Sequence, residues 1–293
     1  MKNKKNFIIS YLIIFFFFNI AFSSEEINYS SNTIKVIENG KIISGEGDVQ
    51  ILIGENIFIS SEKFEYNRKT GLYKIFDNVQ FKDKINNIKA SGTEFILSTF
   101  DNKILSKTKS KIIYDEIYDI DLDNFEYDIN DQKISSDEFV KIKDNINNYF
   151  ELYEFLFDLK TNKFLGKEIK FIDNQQNKYF LNEVMVNTDN DKLYGKEVKF
   201  LDNQQNKYLL NEVMINTNND NLYGKDLNIE FNKSLFGNSE NDPRLKAKSV
   251  KIKDQSSFLK KGNDQCKSGC CTFLCAKQEV HTPQESSLVL SVQ

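Results

Sequence analysis

The residues that could do chemistry in this 293-residue chain are few and poorly grouped. There is one histidine, His281, and it lies near the end, so the body holds no histidine-based triad or zinc site. No glycine-rich loop has phosphate-cradling spacing. The run Asp115, Glu116, Asp119, Asp121 and Asp123 has enough carboxylates for calcium but not the loop spacing such sites use. It reads as the solvated face of a strand. Glu168, Glu197 and Asp226 recur at equivalent positions beside Lys167, Lys196 and Lys225, which reads as a cross-strand charge ladder on an outer face. Cys266, Cys270, Cys271 and Cys275 crowd within ten residues; in an exported chain they favour disulfides over a metal. These residues predict no enzyme, no cofactor and no metal.

What the chain does repeat is structure. Phe164 to Lys192 reads FLGKEIKFIDNQQNKYFLNEVMVNTDNDK, and Leu193 to Asn221 reads LYGKEVKFLDNQQNKYLLNEVMINTNNDN. A third copy opens at Leu222 with LYGKDLNIEFN and then diverges. Most differences exchange one apolar residue for another, as Ile169 for Val198 or Val186 for Ile215. Self-similarity at a fixed 29-residue period implies an elongated, stacked architecture. Alternation of apolar and polar residues, with many Ile, Val, Phe and Tyr, is the strand signal. Each unit holds two strands, about Leu193–Leu201 and Lys207–Thr217, separated by Asn- and Asp-rich turns. The same pattern runs earlier: Ser60 to Tyr66 is echoed by Lys89 to Phe95. Strands are expected from about Asn32 to Lys253, and only Asp144 to Leu159 tolerates a helix.

The N-terminus reads as a cleaved signal peptide, residues 1–23. Lys2, Lys4 and Lys5 precede an apolar run from Phe7 to Phe22, and Ala21-Phe22-Ser23 supplies small residues for cleavage. The run is slightly short for a spanning helix. Net charge is −4 with both signs interspersed, which leaves no basic footprint for nucleic acid. The chain carries 25 Phe and 13 Tyr but no Trp, a high aromatic load for a sheet scaffold. From Asp254 onward Ile vanishes, and all four cysteines and the histidine appear. Residues 254–293 are therefore expected to be a tail apart from the domain at 24–253: disordered, or read from a shifted frame.

Several short motifs carry a family resemblance. Ser61-Glu62-Lys63-Phe64-Glu65-Tyr66, then Asp77-Asn78-Val79-Gln80-Phe81, then Gly45-Glu46-Gly47-Asp48-Val49 resemble the units of the organic-solvent-tolerance family of lipopolysaccharide transport proteins. Asn241 to Lys246 is similar to the segment closing the periplasmic N-terminal domain of the lipopolysaccharide-assembly protein, just before its outer-membrane barrel. The resemblance spans about Glu26 to Lys253. The family's barrel and its cysteine pair near the mature N-terminus are absent, so the chain reads as either a barrel-less bridge subunit or a translocon fragment.

The resemblance implies an elongated antiparallel β-jellyroll, or β-taco, in the periplasm beside the outer membrane. It implies lipopolysaccharide as ligand and further jellyroll subunits as partners, added by edge-strand pairing. Alternation in the repeats points Val198, Phe200, Val213, Ile215, Ile229 and Phe231 inward. Together with Phe64, Tyr66, Val79, Phe81, Ile169 and Phe171 they form the expected acyl-chain groove. The alternative is an exported β-solenoid stalk or adhesin with a self-packed core.

Overall fold

The computed structural model describes residues 26–174, 176–201, 205–216, 218–219, 221–232 and 244–251, and the backbone alone of 252–253, 256–265 and 287–291. The expected signal peptide, His281 and the four cysteines lie outside the described residues. Every strand pairing is antiparallel. The strands run as β1 (Ile27–Ser30), β2 (Thr33–Ile37), β3 (Ile42–Ile53), β4 (Ile57–Asn67), β5 (Leu72–Asp83) and β6 (Ile88–Ser98). Short strands follow: β7 (Lys103–Ser106), β8 (Ser110–Tyr114), β9 (Tyr118–Leu122), β10 (Phe125–Asp128), β11 (Lys133–Ser136) and β12 (Val140–Lys143). Long ones resume with β13 (Tyr149–Asp158), β14 (Lys163–Ile172), β15 (Lys178–Asn187), β16 (Lys192–Leu201), β17 (Lys207–Asn216), β18 (Asn221–Glu230) and β19 (Arg244–Lys253). The elongated all-β taco expected from the repeats is what the chain forms. Asp144 to Leu159 holds β13 rather than a helix, because its aromatics alternate between core and surface.

Each long strand is bent near its middle, and the bend is written in the repeat. In β16, Leu193 and Gly195 are buried, then Lys196 and Glu197 are both exposed, then Val198 and Phe200 are buried. Strict alternation would turn one half outward. Glu197 instead takes a left-handed φ of 51°, and Glu168 and Asp226 do the same at 51° and 52°. That one residue resets the phase, so both halves present their apolar side inward. Asp77-Asn78 and Gly47-Asp48 fill the same role in β5 and β3 with positive φ, beside register shifts at Phe76/Val79 and Glu46/Val49. The short strands are crossings whose bend is opened into a gap: β7 and β8 pair with opposite halves of β6.

The bends line up as a crease, which divides the sheet into two facing walls. The first wall holds β1, β8, β9, β12, residues 49–53 of β3, and residues 169–172, 178–181, 198–201 and 207–210. The second holds β2, β7, β10, β11 and residues 155–158, 163–167, 183–187, 192–196 and 212–216. The core is the single apolar layer between them, from Ile43 to Val250. At the crease the walls approach closely enough to need glycine. A Cβ on Gly195 would lie 2.1 Å from Leu181 Cδ2, and one on Gly224 2.1 Å from Leu210 Cδ2.

Pairing continues past Lys253, the end of the domain expected from composition. The backbone of β20 (Ser256–Gln265) lies antiparallel on β19, and β21 (Ser287–Ser291) on β20. The unpaired edge of β19 supplies the hydrogen-bonding groups for it.

Candidate functional site

Opposite the crease is a mouth between two rims of turns. The first wall's rim is built from a repeated Asp-x-x-x-Asn turn. Asp144 Oδ1 accepts the backbone N–H groups of Ile146 and Asn148, and Asn148 Nδ2 donates to Asp144 Oδ2 at 2.8 Å. Asp173 and Asn177 repeat the arrangement. Burial holds the Asp144 carboxyl above its usual range, against the hydrogen bonds from Asn148 and Ile146.

Just below this rim lies an aromatic ladder on the inner face. Phe150, Phe171, Tyr179, Phe200 and Tyr208 follow one another at centroid spacings of 4.6, 5.1, 4.6 and 4.8 Å. The spacing is set by the strand separation. Phe150 meets Phe164 of the opposite wall edge-on at 5.7 Å.

Polar bonds join the two walls across the mouth. Tyr127 of the second wall donates its hydroxyl to Asp83 Oδ2 of the first at 2.5 Å, and accepts from Asn86 Nδ2 at 3.0 Å. Burial first, then the Asp83 carboxylate, pushes the Tyr127 hydroxyl pKa up. Farther along, Tyr114 donates to Asn162 Oδ1 at 2.9 Å. Beside it a depression of about 350 Å³ opens at the mouth, with Asp115, Asp144, Asp189 and Asp191 in its lining.

The structure brings the nominated groove residues together. Val79, Phe81, Ile169, Phe171, Val198, Phe200 and Ile229 are on the first wall, and Phe64, Val213 and Ile215 on the second; all ten face the interior and none is more than 6% exposed. Tyr66 packs half-buried against Tyr73 at 4.1 Å, and Phe231, one residue beyond β18, is half-buried at the rim. These side chains pack on one another across the seam.

The other expectations sort as follows. Asp119, Asp121 and Asp123 are on a solvated face, with Asp119 paired to Lys111 at 3.1 Å. The charge ladder exists, but the lysines pair with Glu154, Glu183 and Glu212, while Glu197 and Asp226 sit at the crease and accept from Asn182 and Asn211. Among the described residues no group of His, Cys, Asp or Glu is placed to hold a metal. Nor is any helix there long and apolar enough to cross a membrane. The Tyr127–Asp83 and Tyr114–Asn162 contacts were invisible in the sequence, joining residues 44 and 48 positions apart. The Asp-x-x-x-Asn turns could have been found there, since Asp144, Asp173 and Asp202 each precede an Asn by four.

No family model and no curated protein matches this chain. Solved structures do match. LptH of Pseudomonas aeruginosa, the LptA-homologous periplasmic component of its lipopolysaccharide transport device, matches 38% of this chain and 80% of its own, at 12% identity and a TM-score of 0.34. A likeness of that size carries no argument about function.

Proposed function

We propose that the protein is a periplasmic lipid conduit that takes lipopolysaccharide acyl chains between its two walls during outer-membrane assembly. The observation that carries this reading is the seam: one continuous aliphatic and aromatic layer along the taco, bounded by a crease on one side and a hydrogen-bonded mouth on the other. Contacts across it are apolar and lack direction, so a chain lodged there is free to slide. Each methylene transferred into it contributes about 0.8 kcal/mol. Entry requires the walls to part about the crease, which breaks the Tyr127 and Tyr114 bonds. Asp115, Asp144, Asp189 and Asp191 at the mouth repel phosphates, so the proposed contact is with the acyl chains. The motif resemblance described above points to the same ligand. Edge strand β2, exposed along its whole length at Thr33–Ile37, supports end-to-end addition of further jellyroll subunits.

The tight packing of the seam favours a second reading, an exported stalk whose core is filled by its own side chains. Lipid analysis separates the two. A photo-crosslinking residue at Phe200 or Ile229 should capture co-purified lipopolysaccharide, and one at Lys199 or Glu230 should not. Labelling should rise in a Tyr127→Phe background. Equal labelling at inner and outer positions would sink the conduit, and absence of lipid by mass spectrometry at every position would leave the stalk.

A further inference from the structure

We propose that the outer face of the second wall binds a second copy of this chain about a two-fold axis parallel to the strands. Two rows of side chains cross that face. One is apolar: Leu156, Leu165, Met185, Tyr194, Met214 and Tyr223, each beside the next in register. Leu165, Tyr194 and Tyr223 are 43%, 37% and 39% exposed. The other row, nearer the crease, alternates in sign: Glu154, Lys167, Glu183, Lys196, Glu212 and Lys225. A groove of about 590 Å³ runs between the rows, floored by Gly166, Val184, Gly195 and Val213.

The order of charges selects the occupant. A two-fold axis along the strands, passing between Glu183 and Lys196, lays the apolar row on its own copy and reverses the charged row. Every Glu then faces a Lys: Glu183 meets Lys196 of the second copy, Lys167 meets Glu212, and Glu154 meets Lys225. A two-fold axis along the rows would instead set Glu on Glu and Lys on Lys, which is unfavourable. Any other partner would need alternating charges repeating at the strand spacing of about 4.8 Å, with an apolar row alongside. A second copy has both by construction. The arrangement is isologous and closed, so it leaves the sheet edges free.

Sedimentation velocity on the purified full chain over a concentration series should show a monomer–dimer equilibrium. Tyr194→Asp should abolish it with the melting temperature kept. Lys167→Glu alone, or Glu212→Lys alone, should weaken the dimer about tenfold or more. The double variant should restore it, although positions 167 and 212 lie three strands, about 14 Å, apart within one chain. A photo-crosslinking residue at Tyr194 should join two chains, and one at Phe180, on the other wall, should not. A monomer at all concentrations, no rescue by the double variant, or an open-ended series indifferent to Tyr194→Asp would each overturn the proposal.

Discussion

Asn148, fully buried in one rim turn, accepts the backbone N–H of Asn174 in the next turn at 3.0 Å. The contact recurs two periods on, where Asn206 accepts from Asn232 at 2.9 Å. In both places a side chain inside one turn satisfies the backbone of the next, which holds those neighbouring rim turns in register. Asn148→Ala strands the Asn174 donor and removes the Asn148 bond to Asp144. Losing these two part-buried bonds, one of them to a carboxylate, should cost about 1–3 kcal/mol in urea unfolding. Asn145→Ala, at an exposed position of the same turn, should change nothing measurable.

The crease makes a second, sharper demand. Leu181 occupies the space where a side chain at position 195 would be. Gly195→Ala should therefore destabilise by overpacking, by about 1–3 kcal/mol. Leu181→Ala leaves a cavity and should cost about 2–5 kcal/mol alone. The double variant relieves the clash, so its loss should fall well short of the sum of the singles in a double-mutant cycle. Strict additivity would mean that the two residues do not meet.

The two halves of that crease differ in how far the sequence disclosed them. Strands expected at Leu193–Leu201 and Lys207–Thr217 are found at Lys192–Leu201 and Lys207–Asn216, because Asn-rich turns and period-two alternation mark strand ends locally. The bend is not marked by that alternation; its trace is Gly195-Lys196-Glu197-Val198, where buried positions step by three rather than two. A single left-handed Glu has no composition signal. The inward set was legible because both half-strands alternate. The partners of the charge ladder were not, since choosing Glu183 rather than Glu197 for Lys196 requires the register of two strands. The tyrosine bonds across the mouth depend on which turns the crease brings opposite one another, and local sequence contains none of that.

Acid should weaken the fold. Hydrogen bonds from Lys89, Lys170, Lys196 and Lys225 hold Glu116, Glu151, Glu183 and Glu212 below their ordinary 4.5. For groups with depressed folded values, the stabilisation is full above 4.5 and is lost as pH falls through the lowered values. Asp144 acts the other way: raised by burial above 3.8, its contribution is full below that and fades as pH rises. The glutamates outnumber it, so the urea midpoint should fall on acidification from about pH 5 to 3. Because the ladder pairs are exposed, about 0.5 M salt should flatten the slope. A midpoint that rose on acidification would assign the dominant role to Asp144.

The repeat itself can be taken out whole. Deleting Leu193–Asn221 removes β16 and β17 and joins Lys192 to Leu222. Leu222 then takes the place of Leu193 opposite Val186, and Gly224 that of Gly195 opposite Val184, so wall, crease and rim stay in phase. The shortened chain should unfold cooperatively, with a melting temperature within a few degrees of the parent, since each repeat interacts chiefly with its neighbours. Deleting only Leu193–Asn206 removes one crossing, sends the following strand across in the wrong direction, and sets polar faces into the seam. That variant should lose its cooperative transition. Equal melting behaviour in the two deletions would contradict a sheet assembled from out-and-back units.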